Sequence, residues 1–312
     1  ANTTFEVLNN SVFEIDNSIS IYPNPTTSLV NIICNSIIKI VELYDVQGRL
    51  LQKQLLDEVQ TSLNLTEQSN GVYFLKIINF PDANLKNILL QTDVNAHFAS
   101  TQSPNFNPIT NAINVPSFSI IDTNSDGEIQ LAEAQLIKSL FISSSSIVSF
   151  SGLEMFTNLE FIECSNNQSL NLNLSGLINL QTVISNSSNN LSNVNVLGCV
   201  NLNYISVSNC NNISSLNFDG LTNLMYLHCE QNLSLTSVNL NGCVSLERFY
   251  CASSGFNSLN LSGLTNLKYV DCNTNSLTNL NLTGCFGLES LDCSYCELTT
   301  LDVNQCLNLN FL

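Results

Sequence analysis

The chain predicts a mainly β protein. It reads as a solenoid of short parallel strands over residues 146–312, a small helical cap over 78–145, and a separate antiparallel β-sandwich over 1–77. Three observations carry this. A period of 21 to 24 residues runs through the second half, a twelve-residue loop dense in side-chain oxygens precedes it, and short alternating strands fill the first seventy-seven residues. With 44% hydrophobic and 11% charged residues, the chain folds by burying apolar surface and has few ion pairs to help.

Charge narrows the partners. Eight Lys+Arg against 25 Asp+Glu leave a net charge of −17. That disfavours nucleic acid and anionic membrane surfaces and favours cations and neutral ligands. No apolar run reaches the ~18 residues of a membrane span; even residues 32–41 are broken by Asn35, Ser36 and Lys39. The chain opens at Ala1 with no initiator Met or leader, as a processed or excerpted chain does.

Within residues 1–77, strands are expected at ISIYP, LVNII, KIVELYDV, RLLQKQLL, TSLNL and GVYFLKI, punctuated by Pro23-Asn24-Pro25, Gln47-Gly48 and Asn70-Gly71. The segments IYPNPTTSLVNI, VELYDVQGRLL and NGVYFLKI, in that order, resemble the type A sorting domain of the type IX secretion system of Bacteroidetes-like bacteria. The resemblance implies an address read by the outer-membrane translocon, with a sortase that removes the domain or exchanges it for a lipid anchor. It places the protein outside the cell or on its outer surface. Such domains ordinarily close their proteins, and the last strand expected after Ile77 is replaced by INFPDANL. Moving residues 1–77 behind Leu312 would restore the usual order, so the chain reads as a fusion, a permuted arrangement or one renumbered across missing segments.

Next, PDANLKNILLQ (81–91) spaces Leu85, Ile88 and Leu89 as a short amphipathic helix behind Asp82, suited to lid the first repeat. Residues 99–111 read as a polar loop with two prolines. Residues 122–133, DTNSDGEIQLAE, match a calcium loop position by position. Asp122, Asn124 and Asp126 supply side-chain oxygens, Gly127 makes the sharp turn, Glu128 offers its carbonyl, Gln130 acts through water, and Glu133 is bidentate. Pro116 argues against an entry helix, while LAEAQLIKSLF (131–141) reads as a helix. The whole looks like a single-helix, dockerin-style loop with a structural Ca²⁺.

The repeats align on Val148, Leu172, Val194, Leu216, Val238, Leu259, Leu280 and Leu301, in steps of 24, 22, 22, 22, 21, 21 and 21. Each unit reads Leu-x-x-Leu-x-Cys-x-x-Asn-x-Leu. This resembles the leucine-rich repeat, in the short bacterial variety with Cys in its strand. Stacked units place strands ~4.8 Å apart with Leu inward. Seven full units are expected, with an eighth broken off, so that more repeats or a partner cover Phe311 and Leu312. Cys164, Cys229, Cys251, Cys272 and Cys293 take the inward position. In-register neighbours sit too far apart for disulfides, which predicts mostly free thiols. The pair Cys293-x-x-Cys296 falls on repeat positions, which favours packing over metal or redox work.

The residues flanking each inward Leu face the concave side. They include Tyr204, Tyr226, His228, Arg248, Tyr250, Tyr269, Asp271 and Asp292, a Tyr-rich strip beside acids that suits a protein or glycan ligand. Cross-strand stacking of these rings is the alternative. No Ser-His-Asp order or phosphate-cradling loop is present, so the chain is not expected to be an enzyme. The leading expectation is a secreted or surface-displayed recognition and adhesion module. The alternative is a secretion cargo whose relevant act is engaging the translocon and sortase, with the repeats as passenger or spacer.

Overall fold

The computed structural model describes residues 4–7, 19–24, 26, 28–80, 82–92 and 97–311. Pro25, Pro81 and Leu312, which carried expectations above, lie outside them. The chain divides into two units, residues 1–83 with 151–155, and 84–150 with 156–312.

The first unit holds β1 (Thr4–Val7), β2 (Ile19–Tyr22), β3 (Leu29–Tyr44), β4 (Leu50–Asn64) and β5 (Val72–Asn79). Six expected strands become four, because LVNII and KIVELYDV are one strand, β3, and RLLQKQLL and TSLNL are another, β4. The polar stretch Cys34-Asn35-Ser36 does not break β3. It is absorbed as a register shift between Ile33 and Ile38, and the buried Asn79 amide donates to Cys34 Sγ (3.0 Å) and Ser36 Oγ (2.7 Å). The first half of β3 pairs with β2 and its second half with β5, while β4 runs along it. The five strands are thus connected by hydrogen bonds in one sheet. One core still collects both halves, with Val30 and Ile32 joining Val41, Leu43, Leu63 and Leu75. Outside expectation, β1 adds to β5 in parallel.

In the second unit, α1 (Ala83–Leu90) buries Leu85 and Leu89 as its spacing predicts. There follow β6 (Ala99–Ser100), β7 (Asn105–Asn107), β8 (Ala112–Asn114), α2 (Leu131–Ala134) and β9 (Ser139–Phe141). The helix expected over 131–141 stops at Ala134. Leu140 is needed as an inward residue of the solenoid sheet, where β9 pairs in parallel with Phe161–Glu163. Sheet pairing outweighs a marginal short helix.

The parallel sheet continues in register through Phe161, Thr182, Tyr204, Tyr226, Arg248, Tyr269 and Ser290, and β6 pairs antiparallel with β9 at its start. The solenoid therefore begins one strand ahead of the visible repeat. Its inward ladder, including Ile162, Leu227, Phe249 and Leu291, is fully buried, each side chain stabilising by roughly 1.5–3 kcal/mol. One alignment anchor changes. Val148 is 62% exposed while Phe150 is buried at the place Leu172 holds in the next unit, so the 24-residue step is a 22-residue step like its neighbours.

Two side-chain ladders satisfy the turns. Asn232 accepts from Cys210 N (2.6 Å) and donates to the carbonyls of Val207 (2.8 Å) and Cys229 (2.9 Å), and Asn167 and Asn275 do likewise. Where Cys takes that place, its thiol reaches the preceding repeat, as Cys210 Sγ does to the Ser185 carbonyl (3.2 Å). Cys199, Cys243 and Cys285 donate to backbone carbonyls of the turn before. All twelve cysteines are free thiols. Burial pushes Cys164 up to about 12 and Cys199 up to about 11, which leaves them unreactive at neutral pH.

Candidate functional site

The concave face is divided in two. Its first strands lie beneath the hairpin β7–β8, a segment read from sequence as a plain polar loop. Phe106 on β7 packs edge-on against Phe161 (centroids 5.8 Å) and Tyr204 (4.7 Å), and Ile184 joins the same cluster. Ser103 bonds to Glu160, and Ser139 Oγ donates to the Gln102 carbonyl (2.7 Å). Tyr204 is consequently only 1% exposed, which removes it from the set of ligand-facing residues. Burial pushes its hydroxyl up to about 12. The reason is direct: an aromatic at the concave centre is better buried under Phe106 than left in water.

From Tyr226 onward the face is open. Tyr226, His228, Arg248, Tyr250, Tyr269, Asp271 and Asp292 are all half-buried on consecutive strands. His228 stacks on Tyr250 (4.5 Å, 20°) and approaches Tyr204 (5.3 Å), so it sits where the covered half meets the open one. Arg248 lies 3.6 Å over the Tyr269 ring and donates to Tyr250 Oη (3.1 Å). Tyr269 Oη donates to Glu289 Oε2 (3.0 Å). The rings are thus held at one edge and available at the other.

Acids line the same face. His228 Nδ1 meets Glu230 Oε1 at 3.2 Å, and Ser208 Oγ donates to Glu230 Oε2 (2.5 Å). Burial pushes the Glu230 carboxyl up, but those two hydrogen bonds and the His228 charge outweigh it and hold the group below the usual range. Asp271 goes the other way: burial leads and the nearby Asp292 and Glu230 add to it, against hydrogen bonds from Asn273. Asn273 Nδ2 bridges Asp271 Oδ1 (2.7 Å) and Asp292 Oδ2 (3.4 Å). Glu230 and Asn273 were not singled out from sequence, since both lie just past the alternating positions.

The oxygen loop is closed by its own hydrogen bonds. Asp122 accepts from Asp126 N (3.2 Å) and Gly127 N (3.0 Å), and Gly127 takes the positive φ (+80°) that the turn requires. Glu133 Oε1 accepts from Thr123 N and Oγ1 (both 2.8 Å) and Oε2 from Gln130 N (3.1 Å). Asn124 and Gln130 both donate to Asp126, and Lys86 pairs with Glu128 (2.5 Å). The donor set is all oxygen, as a hard divalent cation requires. Among the described residues no three His, Cys, Asp or Glu side chains gather closely enough to hold a metal, the half-buried Cys293 and Cys296 included. Side-chain amides and main-chain carbonyls would therefore have to complete any calcium shell here.

No curated protein matches the chain. Residues 20–91 match the family described as secretion system C-terminal sorting domain. Among solved structures, the functional domain of InlJ from Listeria monocytogenes, described as including a cysteine ladder, is 25% identical over 58% of this chain and 49% of its own, with a TM-score of 0.31. The chain thus spans about half of that relative. Internalin C2 of the same organism is 17% identical over 74% of this chain and 83% of its own, with a TM-score of 0.38. An internalin, inlF, also from that organism, is 17% identical over 75% of this chain and 88% of its own, with a TM-score of 0.25. The chain joins a region similar to a secretion sorting domain to a leucine-rich-repeat solenoid.

Proposed function

We propose that this is an exported recognition protein of a Bacteroidetes-type bacterium. Its sorting region engages the type IX translocon and sortase, and the open half of its concave face binds a protein or a glycan. One observation carries the binding reading: from Tyr226 to Asp292 the concave side chains are half-buried, partly held by neighbours, and uncovered, while the strands before them lie under a hairpin. Rigid aromatics beside an Arg are the groups that dominate recognition surfaces. The reading assigns the loop a structural Ca²⁺, held by Asp122, Asn124, Asp126, the Glu128 carbonyl, Gln130 and Glu133, with Glu133 turning away from Thr123 on loading. Calcium there would brace α1 and the start of the solenoid.

Binding of the full chain to arrayed extracellular-matrix proteins and glycans tests the surface. Tyr250→Ala with Arg248→Ala is expected to reduce the bound signal at least about tenfold, the scale of two lost anchors. Undiminished binding by this pair would overturn the surface assignment. A second reading, the repeats as passenger for a sorting domain, draws on the burial of Tyr204 and its neighbours, which leaves only part of the concave face for any ligand.

A further inference from the structure

Between hairpin β7–β8 and the strands it crosses lies an open-sided cleft of about 410 Å³, within the ~300–1,000 Å³ of small-ligand sites. The rings of Phe106 and Tyr226 form its apolar walls, and the amides of Asn105, Gln181 and Asn203 with the Glu160 carboxylate supply its polar edge. The side-chain amides of Asn105 and Asn203 make no hydrogen bond among the described residues. The one carboxylate is neutralised: Lys138 Nζ sits 2.7 Å from Glu160, and Ser103 donates to it as well. Burial pushes that carboxyl up, but those hydrogen bonds keep it ionised and engaged.

We propose that this cleft is a binding site for a neutral oligosaccharide, lying beside the open half of the concave face and sharing only the Tyr226 ring with it. A sugar ring offers a C–H face to stack on an aromatic wall and a rim of hydroxyls that both give and take hydrogen bonds, which pairs with amides and a carboxylate. An anionic ligand finds no spare cation, because Lys138 is paired. A cationic one finds no spare carboxylate. An extended peptide recognised through its backbone needs an unpaired strand edge; the floor strands Phe161–Glu163 and Thr182–Ile184 are paired on both sides and offer none, and among the described lining strands only the three-residue β7 keeps one edge open.

Titration calorimetry of the full chain against four neutral hexasaccharides, from β-1,3-glucan, β-1,4-glucan, mannan and chitin, tests this, with hexagalacturonate as the charged probe. At least one neutral sugar is expected to bind and the charged one not. Asn203→Ala and Gln181→Ala should each weaken binding about tenfold, while Tyr295→Ala, 88% exposed and far along the solenoid, leaves it unchanged. Failure of all four sugars, tighter binding of hexagalacturonate, or full binding by both amide variants overturns the proposal. Sugar binding lost in Tyr250→Ala yet kept in Asn203→Ala also overturns it, and would move the sugar to the open face.

Discussion

The Tyr204 hydroxyl donates a 2.8 Å hydrogen bond to Oδ1 of Asn111, 93 residues earlier in the chain. Asn111 stands at a positive φ (+53°) just ahead of β8, a conformation Asn tolerates better than most residues. The bond ties the hairpin across the middle of the sheet, and it defines where the covered half of the concave face ends.

Tyr204→Phe keeps the ring under Phe106 and removes only that bond. The expected cost is about 1 kcal/mol, which speeds amide exchange of residues 105–114 about fivefold and leaves the repeats unchanged. Hydrogen–deuterium exchange reads this directly. Equal protection in both proteins would show that packing alone holds the hairpin.

Asp271 sets a pH dependence of its own. Its folded-state pKa is raised, so the ionised group opposes folding above that value, and the opposition fades as pH falls through it. Asp271→Asn, which keeps the acceptor facing Asn273, is therefore expected to raise the melting temperature at pH 7, with the gain vanishing below about pH 3. Glu230 and Glu42 act with the opposite sign: their folded pKa values lie below 4.5, so the stability they give is present above that pH and is lost on acidification. Melting curves from pH 3 to 7 separate the two. A variant no more stable than wild type at pH 7 would contradict the assignment.

Calcium is tested by chelation. At free Ca²⁺ about 100 times the dissociation constant, binding adds about 2.7 kcal/mol, so a chelator should lower the melting temperature of wild type but not of Glu133→Gln. An identical wild-type melt with and without chelator would remove calcium from the loop.

Much of the fold was legible because a repeat writes the same contact many times. Ile162, Leu227 and Leu291 recur at one phase, and the Asn and Cys ladders follow from that phase. Features that occur once were not. Nothing periodic marks Phe106 as the residue that covers Tyr204, because the partner lies far off in the chain. Residues 131–141 have helical spacing, yet Leu140 is claimed by the sheet, and the polar run at Cys34 reads as a gap between two strands although Asn79 lets β3 pass through it. At Val148 the alignment followed residue type, and burial shows Phe150 holds that place instead. The open concave residues were found by alternation alone, whereas the division of the face depended on the hairpin.

All of the proposed recognition depends on the chain reaching the cell exterior, so the most direct measurement is its location in a bacterium that carries type IX secretion machinery. The full chain and a deletion of residues 20–79 would be expressed side by side and followed by immunoblot in periplasm, cell surface and medium. The account predicts the full chain at the surface or in the medium and the deletion held in the periplasm. Equal export of the deletion, or a full chain that stays inside, would contradict it.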